Sequence, residues 1–259
     1  MKAGLNAITR SLTLAMVCCA ALAGCHGAGN REGAPAANSA SAENSPPPLA
    51  QQGKLIFDDT PKYAGKFAGN KLSCSDCHLK SGTADFSAPM IDMAGLFPMY
   101  NKRAGHMISL QNRIQECFAR SEAGTPPPEN SAEMHALVAY IDWLSRDGAK
   151  GKAYPGRGFV KLPALKGDPA AGRAVYAAHC AACHGTDGAG VPPVIPALWG
   201  DNSYNDGAGM SHPDKMASFV IHNMPQNHPG TLTPQQAYDV AAYVDSNKRP
   251  KFNQAYRGY

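Results

Sequence analysis

Two short stretches, Cys74-Ser75-Asp76-Cys77-His78 and Cys180-Ala181-Ala182-Cys183-His184, decide the fold of this chain. Two thiols separated by two residues lie on one helical turn, where they can bond the two vinyl groups of one porphyrin. The adjacent His then reaches the iron as proximal ligand. A thioredoxin-like site needs no following His, and a zinc site would pair two such motifs, whereas these lie 106 residues apart. The motifs therefore predict two covalently bound haem c groups, attached through Cys74 and Cys77 and through Cys180 and Cys183.

The sequence has eight cysteines, and one of them has no obvious role in the mature protein. Four belong to the two motifs, and Cys18, Cys19 and Cys25 lie at the N-terminus. Cys117 remains, and a lone thiol outside the cytoplasm is a hazard unless it is buried or ligated. Cys117 is thus a candidate iron ligand, and a buried, inert side chain is the alternative.

The N-terminus is typical of an export signal. Lys2 and Arg10 precede an apolar segment, residues 12–22, that is too short to span a bilayer. Leu22-Ala23-Gly24-Cys25 resembles the lipobox of bacterial lipoproteins, so we expect residues 1–24 to be a signal peptide and Cys25 to be lipidated. An ordinary signal peptide cut nearby is the alternative. Either leader predicts a periplasmic protein, and with lipidation of Cys25 we expect contact with the membrane only through that lipid anchor.

The composition after the leader predicts a tether followed by two domains. Residues 25–50 are rich in Ala, Gly, Ser, Asn and Pro and cannot bury a core. The rest suits two domains of about 100 residues each, at 51–150 and 166–259, with a linker at 151–165. Loss of residues 1–24 lowers the net charge from +4 to +2, and no basic run indicates a nucleic-acid partner.

Both halves repeat one helical pattern. Each begins with a short helix near a glycine, continues through the Cys-x-x-Cys-His motif and loops, and ends with a helix. In the second half, Asp168 is a predicted N-cap with Pro169 at the first helical position, and residues 233–236 form a predicted capping box. Apolar residues at spacings of three and four predict the closing helix of the first half, near residues 134–144. The pattern predicts an all-α fold of two tandem class I cytochrome c domains, each wrapped round one covalent haem.

The sixth iron ligand decides what each haem does. For the second haem, Met224 lies 40 residues after His184 and is followed by a proline; the alternatives are Met210, Met216, His212, His222 and His228. For the first, Cys117 lies 39 residues after His78, nearly the same offset; the alternatives are Met90, Met93, Met99, Met107 and His106. If residues 113–121 are helical, Arg113, Cys117 and Ser121 share one face.

The sequence resembles the dihaem thiosulfate dehydrogenases of sulfur-oxidising and tetrathionate-using bacteria over nearly all of residues 53–250. The matching stretches include the lead into the first motif, the helix that holds Cys117 and the Asn-Met-Pro tripeptide. They are residues 69–74, 113–121, 134–141, 198–200, 203–210, 223–225 and 237–243.

This resemblance implies a division of labour between the haems. It implies His78 and Cys117 as ligands of a catalytic haem, and His184 and Met224 as ligands of an electron-transfer haem. The family's substrate positions fall on Arg103, Arg113 and Ser121. Some members place a Lys just before the distal Met, where this chain has Asn223, so we expect a permanent His/Met haem. After the Ser many members read Leu-Asn-Gly, whereas this chain reads Glu122-Ala123-Gly124.

The resemblance also implies a reaction and its partners. The enzyme would couple two thiosulfates to tetrathionate, in either direction. It would exchange electrons with a soluble periplasmic acceptor, a cytochrome c or a high-potential iron protein. Two alternatives stay open on the sequence, a non-catalytic dihaem electron-transfer cytochrome and a dihaem peroxidase.

Overall fold

The computed structural model describes residues 45–259, which form one compact unit. The predicted export signal, Cys25 and most of the predicted tether lie outside the described residues. Within residues 45–259, no helix combines the length and the apolar character needed to span a membrane.

The described residues are mainly helical. The first half contains α1 (Pro48–Asp58), α2 (Thr60–Tyr63), α3 (Cys74–Cys77), α4 (Leu79–Gly82), a 3-10 turn (Ala94–Leu96), strands β1 (Met99–Asn101) and β2 (His106–Ile108), α5 (Leu110–Arg120) and α6 (Ala132–Leu144). The second contains α7 (Pro169–His179), α8 (Ala181–His184), a 3-10 turn (Gly209–Ser211), α9 (Pro213–Asn223), α10 (Pro234–Asp245) and a final 3-10 turn (Gln254–Tyr256).

The first and last helices of each half cross at a glycine. A Cβ added to Gly53 on α1 would lie 1.9 Å from the carbonyl oxygen of Ala136 on α6. A Cβ on Gly172 of α7 would lie 1.9 Å from the carbonyl oxygen of Asp239 on α10. Only glycine lets the two backbones approach this closely, so the repeat inferred from the sequence reappears as a repeated helix crossing.

The predicted helix starts are confirmed. The Asp168 side chain accepts a hydrogen bond from Ala170 N at 2.8 Å, and Pro169 opens α7. Thr233 and Gln236 form the predicted capping box at the start of α10. The closing helix of the first half, α6, buries Met134, Leu137 and Ile141, as their spacing predicted.

The first half also contains a β-hairpin that the sequence pattern did not predict. Strands β1 and β2 pair antiparallel, with Tyr100 opposite Met107. The side-chain oxygen of Asn101 accepts hydrogen bonds from the backbone N–H groups of Arg103 and Ala104, which shapes the turn between the strands. Strands of three residues are too short to produce a visible alternation of apolar and polar residues.

Each half has its own core, and the halves also pack on each other. One core lies between α1, α5 and α6, and the other lies between α7, α9 and α10 and includes Leu72 from the first half. The predicted linker pairs with the first half, because Phe86 N and Ala88 N donate to Gly156 O and Gly158 O, each at 2.8 Å.

Candidate functional site

A cavity of about 650 Å3 occupies the first half beside the first Cys-x-x-Cys-His motif. Cys74, Cys77 and His78 line it, and so does Cys117 on α5. Its walls are mainly apolar and include Phe57, Met90, Met93, Phe97, Phe118 and Leu137. The cavity therefore gathers both cysteines and the histidine of the motif together with the one cysteine that had no assigned role.

The motif holds its histidine in one orientation. Ser73 and Asp76 cap the single turn α3, which sets the two thiols one turn apart. His78 Nδ1 lies 2.7 Å from the carbonyl oxygen of Ala88, which can only accept, so the ring proton sits on Nδ1 and Nε2 is free to bind a metal. Burial lowers the pKa of His78 to about 4, so the ring is neutral. Two thiols, a neutral and oriented imidazole and an apolar cavity fit a covalently bound haem.

Helix α5 and its C-cap residue Ser121 contribute three residues to the lining of this cavity. Ser109 caps its start, accepting from Asn112 N at 3.0 Å, and the helix runs to Arg120. Arg113, Cys117 and Ser121 all line the cavity, so the predicted shared face is confirmed. The charge of a Cys117 thiolate is the largest influence that raises the pKa of Arg113. A cation, a thiol and a hydroxyl are thus available to a small anion inside one cavity.

A buried carboxylate joins the two arginines that the resemblance assigned to substrate binding. Glu116 is 1% exposed. Its Oε2 lies 2.9 Å from Arg113 Nη1, and its Oε1 lies 3.6 Å from Arg103 Nη1. Asn101 on the hairpin donates to the same Oε2 at 2.8 Å. Arg103, which is not a lining residue of the cavity, is therefore linked to Arg113 through this carboxylate.

Sequence reasoning missed Glu116 because its spacing from Arg113 is that of an ordinary helical ion pair. It also missed the linker, from which Tyr154, Arg157 and Lys161 line the cavity. No motif marks these residues, and their contribution depends on how the linker folds back over the first half.

Glu122, where the family resemblance leads one to expect leucine, is buried at 2% exposure against the cavity. Burial, and secondarily the charge of Asp76, raise the pKa of Glu122 well above its ordinary value. Its Oε2 has no hydrogen-bond partner among the described residues. The protonated, neutral acid is the form that such an environment favours.

The alternative ligands for the first haem are distributed unevenly. Met90, Met93 and Met99 line the cavity beside Cys117, whereas Met107 is 55% exposed on the hairpin and His106 is also exposed. Met210, an alternative ligand for the second haem, lines this first cavity as well.

The second motif repeats the histidine geometry of the first. His184 Nδ1 lies 3.0 Å from the carbonyl oxygen of Pro196, and burial lowers the pKa of His184. Met224 is half-buried just beyond the end of α9. The amide of Asn223 donates to Phe86 O at 3.1 Å and to Phe219 O at 2.9 Å. The pairing of His184 with Met224 on one iron stays a prediction.

Comparison with known families separates the two halves. Residues 62–149 match the family described as "SoxA/TsdA, cytochrome c domain". Residues 167–244 match the family described as "Cytochrome C oxidase, cbb3-type, subunit III". The predicted architecture of two cytochrome c domains, and with it two covalently bound haem c groups, is confirmed.

Relatives that match most of this chain are thiosulfate dehydrogenases. A thiosulfate dehydrogenase of Stutzerimonas stutzeri (strain A1501) is 42% identical over 209 residues, which are 78% of this chain and 68% of the relative. A thiosulfate dehydrogenase of Allochromatium vinosum is 36% identical over 214 residues, which are 78% of this chain and 79% of the relative.

A solved structure is also similar. It is the thiosulfate dehydrogenase (TsdBA) of Marichromatium purpuratum in its "as isolated" form, with a TM-score of 0.75 and 36% identity. The match covers 80% of this chain but only 48% of the solved one, so this chain spans about half of that protein. On the identity and coverage of these relatives, the chain belongs to the thiosulfate dehydrogenase family, whose members are oxidoreductases.

Proposed function

We propose that this protein oxidises thiosulfate, joining two thiosulfate ions into tetrathionate, and delivers the electrons to an external acceptor. One observation carries the proposal. Cys117 lies in the cavity of the first Cys-x-x-Cys-His motif, and Arg113 on the same helix and Ser121 just after its end also line that cavity. A purely electron-carrying cytochrome needs no cation and no hydroxyl next to its haem ligands.

Each half supplies a set of residues that would hold its haem. Cys74 and Cys77 would form the thioether bonds in the first half, with His78 and Cys117 as iron ligands. Cys180 and Cys183 would do so in the second half, with His184 and Met224 as iron ligands. When bound, the haems supply one-electron acceptors, and a methionine ligand favours a higher potential than a thiolate does.

Two thiosulfates repel each other as dianions, and the arginines offset this repulsion. Arg113 inside the cavity and Arg103 next to it can donate charge-assisted, bidentate hydrogen bonds to the sulfonate oxygens. Each such bond contributes about 1.5–3 kcal/mol. The Ser121 hydroxyl offers a further donor at the end of the same helix.

Cys117 would act as a nucleophile that is regenerated at the end of each reaction cycle. Its thiolate bonds to the terminal sulfur of one thiosulfate with loss of two electrons, which leaves a cysteine that carries an S–SO3 group. The terminal sulfur of a second thiosulfate then attacks the outer sulfur of the new S–S bond. Tetrathionate forms and the Cys117 thiolate leaves, as in thiol–disulfide exchange. No proton is consumed, and the net loss is two electrons per tetrathionate.

The test is thiosulfate-dependent reduction of ferricyanide by the holoprotein, with the product identified as tetrathionate. The expected ratio is two ferricyanide ions reduced per tetrathionate formed. Running the same protein with tetrathionate and a low-potential electron donor measures the reverse direction. Absence of thiosulfate-dependent reduction in a protein that carries both haems would refute the proposal.

Replacing Cys117 with glycine separates the enzyme from its two alternatives. In the wild-type holoprotein we expect a low-spin thiolate signal in electron paramagnetic resonance, and in Cys117→Gly we expect the loss of this signal and of tetrathionate formation. Two His/Met haems in the wild type would indicate an electron carrier, and a five-coordinate iron would indicate a peroxidase. If Cys117→Gly forms tetrathionate as fast as the wild type, the Cys117 thiol has no catalytic role.

We further propose that the second haem keeps one ligand pair, His184 and Met224, in both oxidation states. The Asn223 amide supports this proposal, because it is engaged with two backbone carbonyls and has no group that binds iron well. The sulfur-to-iron charge-transfer band of the oxidised protein should be unchanged after a cycle of reduction and reoxidation. A second ligand set appearing after that cycle would contradict this.

The location is proposed from the sequence alone. We propose that residues 1–24 direct export, that Cys25 is lipidated, and that the acceptor is a soluble periplasmic cytochrome c or high-potential iron protein. Labelling of the expressed full chain with a radioactive fatty acid, with Cys25→Ser as control, tests the anchor. Label retained in Cys25→Ser would show that this cysteine is not the anchor.

A further inference from the structure

The buried carboxylate of Glu116 has no part in the chemistry described above, yet it contacts more of the anion-binding apparatus than any other acid of the first half that the structure describes. It bonds Arg113 at 2.9 Å on its own helix, and it lies 3.6 Å from Arg103 on the hairpin. The Asn101 amide reaches it at 2.8 Å. The Glu116 carboxylate thus connects α5 to two residues of the hairpin, the charged Arg103 and the turn-forming Asn101.

The solvent exposures of the three side chains indicate that Glu116 is the fixed group and that the two arginines are positioned by it. The Glu116 side chain is 1% exposed, whereas the side chains of Arg113 and Arg103 are 44% and 34% exposed. Because the Glu116 carboxylate is packed inside the protein, it has little freedom to move toward the more exposed guanidinium groups. The guanidinium groups therefore adopt the conformations that bring them to the carboxylate. Two guanidinium groups with no carboxylate between them would repel each other, and each long side chain has about 2 kcal/mol of rotamer entropy to regain.

Glu116 precedes Cys117 directly, and adjacent residues of a helix do not share a face. Cys117 lines the cavity and Glu116 does not. The carboxylate therefore acts on the arginines from behind and leaves the thiol free for substrate.

We propose that Glu116 is a positioning residue, which holds Arg103 and Arg113 convergent so that one sulfur oxoanion can bind both. This inference rests on the proposed function for the identity of the anion. Its substance is the coupling between the carboxylate, the hairpin and the two guanidinium groups.

A competing role makes the opposite prediction. If Glu116 were only a negative charge near an anion site, its neutralisation would tighten anion binding by removing repulsion. If it positions the arginines, its neutralisation weakens binding although the site becomes more positive. The sign of the change in affinity therefore decides between the two roles.

The isosteric variant Glu116→Gln keeps the shape of the side chain and removes the charge. We expect the KM for thiosulfate, and the inhibition constant of sulfate used as a non-reacting dianion, to rise about tenfold or more. This is the change that loss of one charge-assisted hydrogen bond produces. The kcat at saturating thiosulfate should fall less than KM rises. Glu116→Asp should restore part of the affinity.

Glu133→Gln is the matched control, because Glu133 is a partly buried acid of the same half that pairs with Lys66 at 2.8 Å. We expect it to leave both constants unchanged. Tighter sulfate binding by Glu116→Gln, or an equal effect of Glu133→Gln, would overturn the proposal.

Double variants test whether Glu116 acts through the arginines. In Arg103→Gln and Arg113→Gln backgrounds, the further change Glu116→Gln should weaken binding far less than it does alone, because its target is already missing. Fully additive effects would overturn the positioning role.

Hydrogen–deuterium exchange separates this inference from the proposed function. The backbone amides of residues 99–108 should exchange faster in Glu116→Gln than in the wild type or in Glu133→Gln, whatever the substrate is. Faster exchange without thiosulfate oxidation would refute the proposed function alone. Unchanged exchange in a thiosulfate-oxidising enzyme would refute the role of Glu116 alone.

Discussion

At the scale of single residues, the two halves solve the same problem in the same way. His78 and His184 each place Nδ1 against a backbone carbonyl, at 2.7 and 3.0 Å, and burial lowers the pKa of both. An imidazole fixed at Nδ1 presents Nε2 as a neutral ligand. The residues that differ between the halves, Arg113 and Cys117 above all, are the ones on which the proposed reaction at the first haem depends.

Arg113 provides the residue-scale prediction. Arg113→Ala should raise the KM for thiosulfate at least about tenfold, because a charge-assisted hydrogen bond worth about 1.5–3 kcal/mol is lost. It should also lower kcat, since the second dianion must approach with less compensation. Steady-state kinetics of the holoenzyme measures both constants.

Arg173→Ala is the control, because Arg173 is an exposed arginine on α7 in the other half of the molecule. It removes the same charge at a distance and should leave both constants unchanged. Wild-type kinetics for Arg113→Ala would exclude Arg113 from substrate binding.

At the scale of elements, the glycine crossings set the frame on which the sites are built. Gly53 lets α1 approach α6, and Gly172 lets α7 approach α10. In each half the helix that leads into the haem motif is thereby packed on the closing helix. In both halves a glycine on the leading helix allows close contact with the closing helix, although the surrounding sequences differ.

Substitution at the crossings should destabilise the fold. In Gly53→Ala the new methyl group meets the Ala136 carbonyl oxygen and the Tyr140 Cβ, so the helices must separate. We expect a loss of about 1–3 kcal/mol in the free energy of unfolding, the usual effect of overpacking. Gly172→Ala should behave alike, since its methyl group would meet Asp239 and Tyr243.

Gly209→Ala is a suitable control, because the nearest atom to its new methyl group is the flexible Lys215 Cδ at 3.9 Å. Denaturant unfolding of the three holoproteins, compared with the wild type, measures the differences. Equal stability of Gly53→Ala and Gly209→Ala would mean that the α1–α6 crossing tolerates a wider separation.

Prediction from sequence succeeded where the signal was local and failed where it was not. The caps at Asp168 and Thr233 and the shared face of Arg113 and Cys117 depend on neighbours within a few residues. The position of Arg103 depends on a hairpin whose strands are too short to have a pattern. Two partners of Glu116, Arg103 and Asn101, lie on that hairpin, so no spacing along the helix could disclose them.

At the scale of the whole molecule, the second half completes the first. Tyr204 and Met210 line the cavity that holds Cys117, and Leu72 of the first half is buried in the core of the second. Asn70 donates to Ser121 O at 2.8 Å and to Ser203 O at 3.0 Å. The end of α5, where the proposed anion site lies, is thus held from the opposite half.

Asn205 offers the sharpest test of this dependence. It is 2% exposed, its amide donates to Ala119 O at 2.8 Å, and its side-chain oxygen accepts from Gly207 N at 3.0 Å. Asn205→Ala strands the Ala119 carbonyl in a buried position, which should cost about 1–3 kcal/mol of stability.

Asn205→Ala changes the second half of the molecule, but we expect it to alter the first half as well. We expect faster hydrogen–deuterium exchange at the amides of residues 117–124, because the end of α5 loses one of its hydrogen bonds to the second half. Asn202→Ala, at an exposed position of the same loop, should leave exchange and stability unchanged. If Asn205→Ala alters exchange only around residue 205, the end of α5 does not depend on this hydrogen bond, and the proposed anion site keeps its geometry without it.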